Sequence, residues 1–130
     1  MDTLERILFV EDDPDVHPLI ELALERLGGF EVHGFMSGEE AVARAAEIDP
    51  QLVLLDVMMP GMDGPETFRA LRRLDGFATK PLAFLTAKVA RDDIDRLHAL
   101  GAAAVLSKPF DPMTLAARIR DIWATHHATA

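Results

Sequence analysis

The sequence predicts an α/β protein, with a doubly wound parallel sheet of five strands between two layers of helices. Short apolar segments alternate along the whole chain with longer segments in which apolar residues recur at helical spacing. Most of the apolar segments are continuous, which is typical of strands buried on both faces of a parallel sheet. Short connections between successive elements then place helices on both faces, giving three layers, α/β/α.

Turn residues bound five short segments, each of which predicts a strand. The second segment alternates apolar and polar residues and therefore belongs nearer the edge of the sheet. The third ends on the carboxylate of Asp56, and the fourth ends on the hydroxyl of Thr86. The predicted strands in chain order are Arg6–Val10, Glu31–Phe35, Leu52–Asp56, Pro81–Thr86 and Ala103–Ser107.

Five helices are predicted between and after these strands. Pro14 opens the first helix and Gly28-Gly29 ends it. Ser37-Gly38-Glu39-Glu40 matches a capping box at the start of the second, and the third covers roughly Gly64–Leu74. Asp111-Pro112 caps the fifth. The apolar residues that define the inward faces are Val16, Leu19, Ile20, Ala23 and Leu27; Ala41, Val42, Ala45 and Ile48; Phe68 and Leu71; Ile94, Leu97 and Leu100; and Leu115, Ile119, Ile122 and Trp123.

Composition and charge exclude several classes of protein. A chain of 130 residues, 49% hydrophobic and 27% charged, predicts one globular domain over residues 1–130 with its core over about residues 5–125. The net charge of -9 disfavours direct binding of nucleic acid. The absence of cysteine excludes disulfides and thiolate chemistry. No signal peptide and no bilayer-spanning apolar run is recognisable, so we expect a soluble cytoplasmic protein without membrane contact.

Polar side chains with complementary chemistry stand at the ends of four predicted strands. Glu11 and Asp12 follow the first strand, Asp56 and Thr86 end the third and fourth, and Lys108 follows the fifth. The carboxyl ends of parallel strands form one edge of an open sheet, where such proteins place their binding crevices. Acids, a hydroxyl and an ammonium brought together there predict a site for a divalent cation and a phosphoryl group.

Four motifs resemble those of the receiver domain of two-component response regulators, and the likeness covers essentially the full length of the chain. Each motif is weak alone, but all four in this order are highly specific. They are Glu11-Asp12-Asp13; Asp56-Val57-Met58-Met59-Pro60-Gly61-Met62-Asp63-Gly64; Thr86-Ala87; and Lys108-Pro109-Phe110. The resemblance implies a flavodoxin-like fold with strand order 2-1-3-4-5 and a cis peptide bond between Lys108 and Pro109.

The resemblance also implies a function for the site. Asp56 is expected to accept a phosphoryl group from a phosphohistidine, as a carboxylate nucleophile. Mg2+ is the expected cofactor, bound by Glu11 through water, by Asp12 and Asp56, and by the backbone carbonyl of Met58. The side chains of Lys108 and Thr86 and the backbone amide of Ala87 are expected to hold the other phosphoryl oxygens. Asp13, which does not match the metal pair, is interpreted as a turn or helix cap.

These features together predict a single-domain, chemotaxis-regulator-like response regulator rather than an enzyme, with at most slow autophosphorylation and autodephosphorylation. The expected partners are a histidine kinase or histidine phosphotransfer protein and an unidentified protein target. Nucleic acid and membranes are not expected as partners, and the chain is expected to be a monomer or weak dimer. The scattered histidines, His17 among them, predict no site.

Two alternatives belong to other classes of protein. The first is a receiver-like interaction module that never turns over phosphate, and the sequence leaves it open. The second is a phosphohydrolase of the haloacid dehalogenase type, which also uses an aspartate nucleophile at a strand end. That family requires a second aspartate two residues later, where this chain has Met58, so we reject it.

The chain departs from the family pattern at two places. The family usually has Tyr or Phe three positions before the lysine, but here Val105 is too short and too stiff for the ring movement that follows phosphorylation. We therefore expect the output to use another surface or a smaller shift around Thr86. The rim positions Met58 and Lys88 tune attack of water on the acyl phosphate in the family. Because methionine cannot orient water by strong hydrogen bonds, we expect a long-lived phosphoryl group.

Overall fold

The computed structural model describes residues 3–88 and 90–129 and has the predicted five-stranded parallel sheet, with strands in the order β2-β1-β3-β4-β5. Every neighbouring pair is parallel, which confirms the flavodoxin-like fold. The strands are β1 (Arg6–Val10), β2 (Glu31–Phe35), β3 (Leu52–Asp56), β4 (Leu82–Thr86) and β5 (Ala104–Ser107).

Five helices alternate with the strands. The first, α1, is α-helical over Val16–Glu21 and continues in wider π-helical turns over Leu22–Leu27. The others are α2 (Gly38–Ile48), α3 (Gly64–Arg72), α4 (Arg91–Ala99) and α5 (Leu115–Thr129). None of the helices described is both long and apolar enough to cross a bilayer.

The sheet is covered on both faces, as its continuous apolar strands predict. On one face α1 and α5 pack against residues such as Phe9 and Leu54, and on the other α2, α3 and α4 pack against residues such as Val53 and Phe84. Every residue of β3 and β4 is buried, whereas β2 at the edge is half-buried to exposed. The buried stripe predicted for α5 is confirmed by the low exposure of Leu115, Ile119, Ile122 and Trp123.

The inward face predicted for α1 is partly wrong. Leu19 and Leu27 are 44% and 50% exposed, whereas Leu24, which was not predicted, is fully buried. The buried face centres on Ile20, Ala23 and Leu24, so Leu19 lies at its margin. The π-helical turns alter the angular spacing that α-helical periodicity assumes, and Leu27 consequently points outward.

The helix ends also differ from the predictions. In the structure the first helix begins at Val16 and not at Pro14. Pro14 lies in a preceding turn, in which Asp13 Oδ1 accepts hydrogen bonds from the Asp15 and Val16 amides. Pro18 has no N–H group to donate to the Pro14 carbonyl oxygen, so the regular helical hydrogen bonds start later. The last helix begins at Leu115, since Asp111 first closes a separate turn by accepting a hydrogen bond from the Met113 amide. It continues to Thr129, beyond the predicted end of the core near residue 125.

Candidate functional site

The predicted acids and Lys108 lie around one open cavity at the carboxyl edge of the sheet, whereas Thr86 does not line it. The volume of this cavity is about 460 Å3. The loop after β1, the end of β3, the loop after β4 and the loop after β5 each contribute to its wall. The lining residues are Glu11, Asp12, Asp13, Pro14, Asp15, Asp56, Met58, Ala87 and Lys108.

Two of the carboxylates are buried because they continue or end strands of the sheet interior. Glu11 follows β1 directly, its amide donates to the Phe35 carbonyl oxygen, and its exposure is 0%. Asp56 is the last residue of β3 and is 5% exposed. Burying a charged group is costly unless an opposite charge is close, so both carboxylates require a partner.

Lys108 supplies that opposite charge to both acids. Its Nζ atom lies 2.6 Å from Glu11 Oε1 and 3.1 Å from Asp56 Oδ1. The Lys108–Pro109 peptide bond is cis, as predicted. The other oxygen of Glu11, Oε2, accepts a hydrogen bond from the Asp13 amide at 3.2 Å. One ammonium therefore faces two buried carboxylates, and the partly exposed Asp12 adds a third acid beside them.

The excess negative charge appears in the protonation behaviour of the site. Burial, reinforced by the adjacent Glu11 carboxyl, raises the pKa of Asp56 against the opposing effect of Lys108. Burial and the proximity of Asp56 raise the pKa of Asp12. Burial alone would lower the pKa of Lys108, but Glu11 and Asp56 outweigh it and raise that pKa. The site thus holds more negative charge than its lysine balances.

The donor set fits a hard divalent cation. Glu11, Asp12 and Asp56 each offer one carboxylate oxygen, and these atoms lie within 4.8 Å of one another. Mg2+ prefers oxygen ligands and usually keeps several waters beside one or two carboxylates. The open side of the cavity leaves room for such waters and for a phosphoryl group. Chemically, the cluster could hold Mg2+ beside a carboxylate able to act as a nucleophile.

Thr86, Ala87 and Met58 occupy different positions around this cluster. The Thr86 side chain is 1% exposed, and its hydroxyl oxygen accepts a hydrogen bond from the Lys88 amide at 2.9 Å. It lines a neighbouring cavity of about 300 Å3, between the loop after β3 and α4. Ala87 and Met58 line the acidic cavity itself, and the Met58 side chain is 62% exposed. The structure therefore groups the acids with Lys108 and turns the Thr86 hydroxyl toward its own loop.

The supporting roles of two residues at the site were not recognised from the sequence. Gly64 starts α3, and a Cβ atom there would clash with the backbone of Asp56 and Val57. His17, in α1, contacts the Glu11 carbonyl oxygen through Nδ1 at 2.8 Å. Both act through main-chain atoms, so no pattern of side chains could have revealed them. The one available signal was the Asp63-Gly64-Pro65 turn directly before a helix.

Comparison with known proteins agrees with this arrangement. Residues 7–120 match the model of the response regulator receiver domain. The DNA-binding response regulator MtrA of Mycolicibacterium smegmatis is 41% identical over 123 residues, which are 92% of this chain and 51% of that protein. The response regulator Rre1 of Synechocystis is 36% identical over 95% of this chain and 54% of its own length.

A solved structure supports the same likeness. The Vibrio cholerae chemotaxis protein CheY4 superposes with a TM-score of 0.86 at 28% identity, over 92% of this chain and 99% of that one. CheY4 matches over nearly its whole length, whereas the chain spans about half the length of the relatives MtrA and Rre1.

The comparisons contradict the expectation that nucleic acid plays no part. MtrA is named a DNA-binding response regulator. The net charge of -9 describes only this chain, which aligns with about half of MtrA, so it could not exclude nucleic acid as a partner.

The matched residues 7–120, the fold and the acidic edge of the sheet lead to one conclusion. This chain belongs to the family of response regulator receiver domains, which are phosphoacceptor signalling domains rather than classical enzymes.

Proposed function

We propose that this chain is a phosphoacceptor in a two-component phosphorelay and that Asp56 receives the phosphoryl group from a phosphohistidine. The observation that carries the proposal is the buried Asp56 carboxylate, 3.1 Å from the Lys108 ammonium and beside two further acids. A carboxylate in such a position can act as a covalent nucleophile, provided that nearby positive charge offsets the approach of the phosphoryl anion.

In the proposed step, one Asp56 carboxylate oxygen attacks the phosphorus atom of the phosphohistidine. A new P–O bond forms while the P–N bond to the imidazole breaks, and the released nitrogen keeps the electron pair and takes a proton from solvent. Glu11, Asp12, Asp56 and the Met58 carbonyl would hold Mg2+, which when bound supplies positive charge to the transferring phosphoryl oxygens.

Three further groups are proposed to hold the transferred phosphoryl group. Lys108 would exchange its contact with Asp56 Oδ1 for a phosphoryl oxygen, while keeping Glu11 as its second partner. The Thr86 hydroxyl would have to turn away from the Lys88 amide to reach a phosphoryl oxygen, and the Ala87 amide would donate beside it. The rotation of Thr86 would make one local hydrogen bond depend on phosphorylation.

Phosphorylation by a small donor tests the proposal directly. We expect acetyl phosphate with Mg2+ to add the mass of one phosphoryl group, and Asp56→Ala to abolish that increase. Asp75→Ala is the matched control, because Asp75 is an exposed aspartate outside the cavity, and it should be phosphorylated like the wild type. An unmodified wild-type chain would favour the receiver-like interaction module, and persistent modification of Asp56→Ala would refute the assignment of the acceptor.

The partners and context of the chain are part of the same proposal. A histidine kinase or histidine phosphotransfer protein would supply the phosphoryl group, and an altered protein surface would transmit the signal. MtrA is named for DNA binding, so DNA belongs among the outputs to be tested. A pull-down with the chain in its beryllofluoride-bound and free forms, identifying both bound protein and bound DNA, would reveal the output. One receiver domain over residues 1–130, a cytoplasmic location and a monomeric or weakly dimeric state complete the proposal.

A further inference from the structure

We propose that His17 is a positioning residue for the metal-binding acids, because its imidazole fixes the peptide that joins Glu11 to Asp12. The inference rests on the proposed function, since it concerns the same site. His17 does not line the acidic cavity, and no side-chain oxygen of the acids contacts its ring among the hydrogen bonds of the described residues. Its effect would pass through the backbone alone.

The contact that carries the inference is a hydrogen bond to the main chain. His17 Nδ1 lies 2.8 Å from the Glu11 carbonyl oxygen. A carbonyl oxygen can only accept, so Nδ1 carries the hydrogen. That carbonyl belongs to the peptide plane between Glu11 and Asp12, and the plane sets the direction in which Asp12 leaves the end of β1. On the other side of Glu11, its amide donates to the Phe35 carbonyl oxygen at 3.0 Å.

The surrounding structure holds the imidazole in place. The His17 ring packs against the Phe9 ring with 4.6 Å between centroids. The His17 amide donates to the Asp13 carbonyl oxygen at 2.9 Å, which ties the start of α1 to the same loop. His17 therefore contacts both ends of the short segment Glu11–Asp13.

A glycine in the neighbouring strand leaves room for the two rings. A Cβ atom on Gly34 would lie 2.9 Å from His17 Nε2 and 2.6 Å from the nearest atom of the Phe9 ring. Glycine inside a strand weakens it, so its presence indicates a close approach of other atoms. The space opposite Gly34 is thus filled by the ring pair that orients His17 toward Glu11.

Amide substitutions separate positioning from simple packing. In His17→Asn the side-chain NH2 group stands near the place of Nδ1, whereas in His17→Gln it stands near the place of Nε2. We expect His17→Ala and His17→Gln to weaken Mg2+ binding roughly tenfold, since loss of groups that orient metal ligands typically costs tenfold to a hundredfold in affinity. His17→Asn should stay close to the wild type.

Mg2+ affinity, measured by calorimetric titration, is the primary readout, with the thermal unfolding midpoint in EDTA measured in parallel. His33→Ala is the matched control, because it removes another half-buried imidazole whose hydrogen bond goes to Glu31 on the surface. That variant should leave the Mg2+ affinity unchanged.

The outcomes distinguish this inference from the proposed function. Equal affinities for His17→Asn and His17→Gln, or an affinity loss that merely follows the fall in unfolding midpoint, would overturn the positioning role while leaving the proposed function intact. A wild-type chain that neither binds Mg2+ nor accepts phosphate would overturn both together. Weak binding in His17→Gln with near wild-type binding in His17→Asn, at similar unfolding midpoints, would support the inference.

Discussion

At the residue scale, the site is a local imbalance of charge maintained by the rest of the fold. Glu11 and Asp56 are buried, and a single ammonium, that of Lys108, contacts both. Removing charges from water costs several kcal/mol per ion, roughly, and pairing offsets this cost only when the geometry is good. Without a bound cation, the site therefore lowers the stability of the folded domain, and a bound cation would offset this loss.

Removing one of the acids should stabilise the free domain. The folded state binds the Asp56 proton more tightly than the unfolded state, because burial and Glu11 raise its pKa. Stability consequently falls as the pH rises through that raised pKa, and Asp56→Asn should unfold at a higher temperature than the wild type at pH 7 in EDTA. The advantage should shrink as the pH falls and the wild type takes up the proton.

Magnesium should reverse this order of stability. A ligand at one hundred times its Kd stabilises the folded state by about 2.7 kcal/mol. We expect that gain for the wild type and a smaller one for Asp56→Asn, measured by thermal unfolding with and without Mg2+. An Asp56→Asn variant that is less stable than the wild type in EDTA would contradict the charge imbalance.

Met58 provides a second prediction at this scale. Its exposed thioether lines the cavity and cannot orient an attacking water strongly. Met58→Asn adds a donor and an acceptor there, and one hydrogen bond of about 1 kcal/mol corresponds to roughly fivefold in rate. We expect dephosphorylation of the phosphorylated chain to accelerate by about that factor, and Met113→Asn, at another exposed methionine, to have no effect. An unchanged rate in Met58→Asn would refute the role of the rim.

The sequence predicted the acids and the lysine because strand ends in a parallel sheet must meet at one edge. It could not predict the orientation of the Thr86 hydroxyl, which depends on one local bond to the Lys88 amide. It also missed His17, whose acceptor is a backbone carbonyl. The side chains that form the site can therefore be predicted from the sequence. Residues that hold the site in place through contacts with main-chain atoms are recognised only in the structure.

At the scale of the elements, the strands were predicted more accurately than the helices. Short apolar or alternating segments bounded by turn residues gave three of the five strand ranges without error, and the remaining two strands begin one residue later than predicted. Helix boundaries depend on local competition between caps, as when Asp111 closes a turn before α5 begins. The π-helical turns after Glu21 have no periodic signature, so the exposure of Leu27 could not be foreseen.

The start of α3 packs closely against the backbone that follows β3 and so helps to hold Asp56 in position. The Gly64 amide donates to the Val57 carbonyl oxygen at 2.9 Å, and a Cβ atom on Gly64 would lie only 2.7 Å from Val57 Cα. We expect Gly64→Ala to lower the free energy of unfolding by about 1–3 kcal/mol, the usual cost of overpacking, and to weaken Mg2+ binding by displacing Asp56.

Gly76→Ala is the control for Gly64→Ala. Gly76 has a positive φ of 84° but open space around its Cβ position, so its substitution strains the backbone far from the acids. Urea unfolding and Mg2+ titration of both variants check the prediction. A normal Mg2+ affinity in Gly64→Ala would show that α3 does not hold Asp56 in place.

An ion pair links α2 to the segment before β4. Lys80 Nζ lies 2.7 Å from Asp49 Oδ1, and this hydrogen bond lowers the pKa of Asp49 below its ordinary value of 3.8. The stabilisation is therefore fully present above pH 3.8 and is lost as the pH falls through the lower pKa of the folded state.

Asp49→Asn tests this contribution without straining the backbone, because Asn tolerates the left-handed conformation that Asp49 adopts, with φ 52°. Asp49 is 71% exposed, so we expect a loss of only about 0.2–1 kcal/mol at pH 7 in urea unfolding. The loss should shrink near pH 3. A loss of equal size at both pH values would assign the effect to something other than charge.

At the scale of the whole molecule, the sheet separates two hydrophobic cores, and each core positions different residues near the site. The face with α1 and α5 carries His17 toward the loop after β1, and the face with α2, α3 and α4 holds Gly64 and the cavity lined by Thr86. Val105 lies in β5, pairs with Phe84 and packs partly buried on the second face. A signal from Asp56 through Thr86 would consequently reach this second face first.

The last prediction concerns how large a structural change phosphorylation causes at Thr86 and Val105. Valine is short and restricted at χ1, so it cannot follow an inward rotation of Thr86 as a long aromatic ring could. Crystal structures with and without beryllofluoride should therefore differ at the Thr86–Lys88 hydrogen bond and hardly at Val105. Val105→Phe supplies the missing ring, and in that variant we expect the difference to extend into α4. A large rearrangement centred on Val105 in the wild type would mean that the fold transmits the signal without an aromatic side chain at this position.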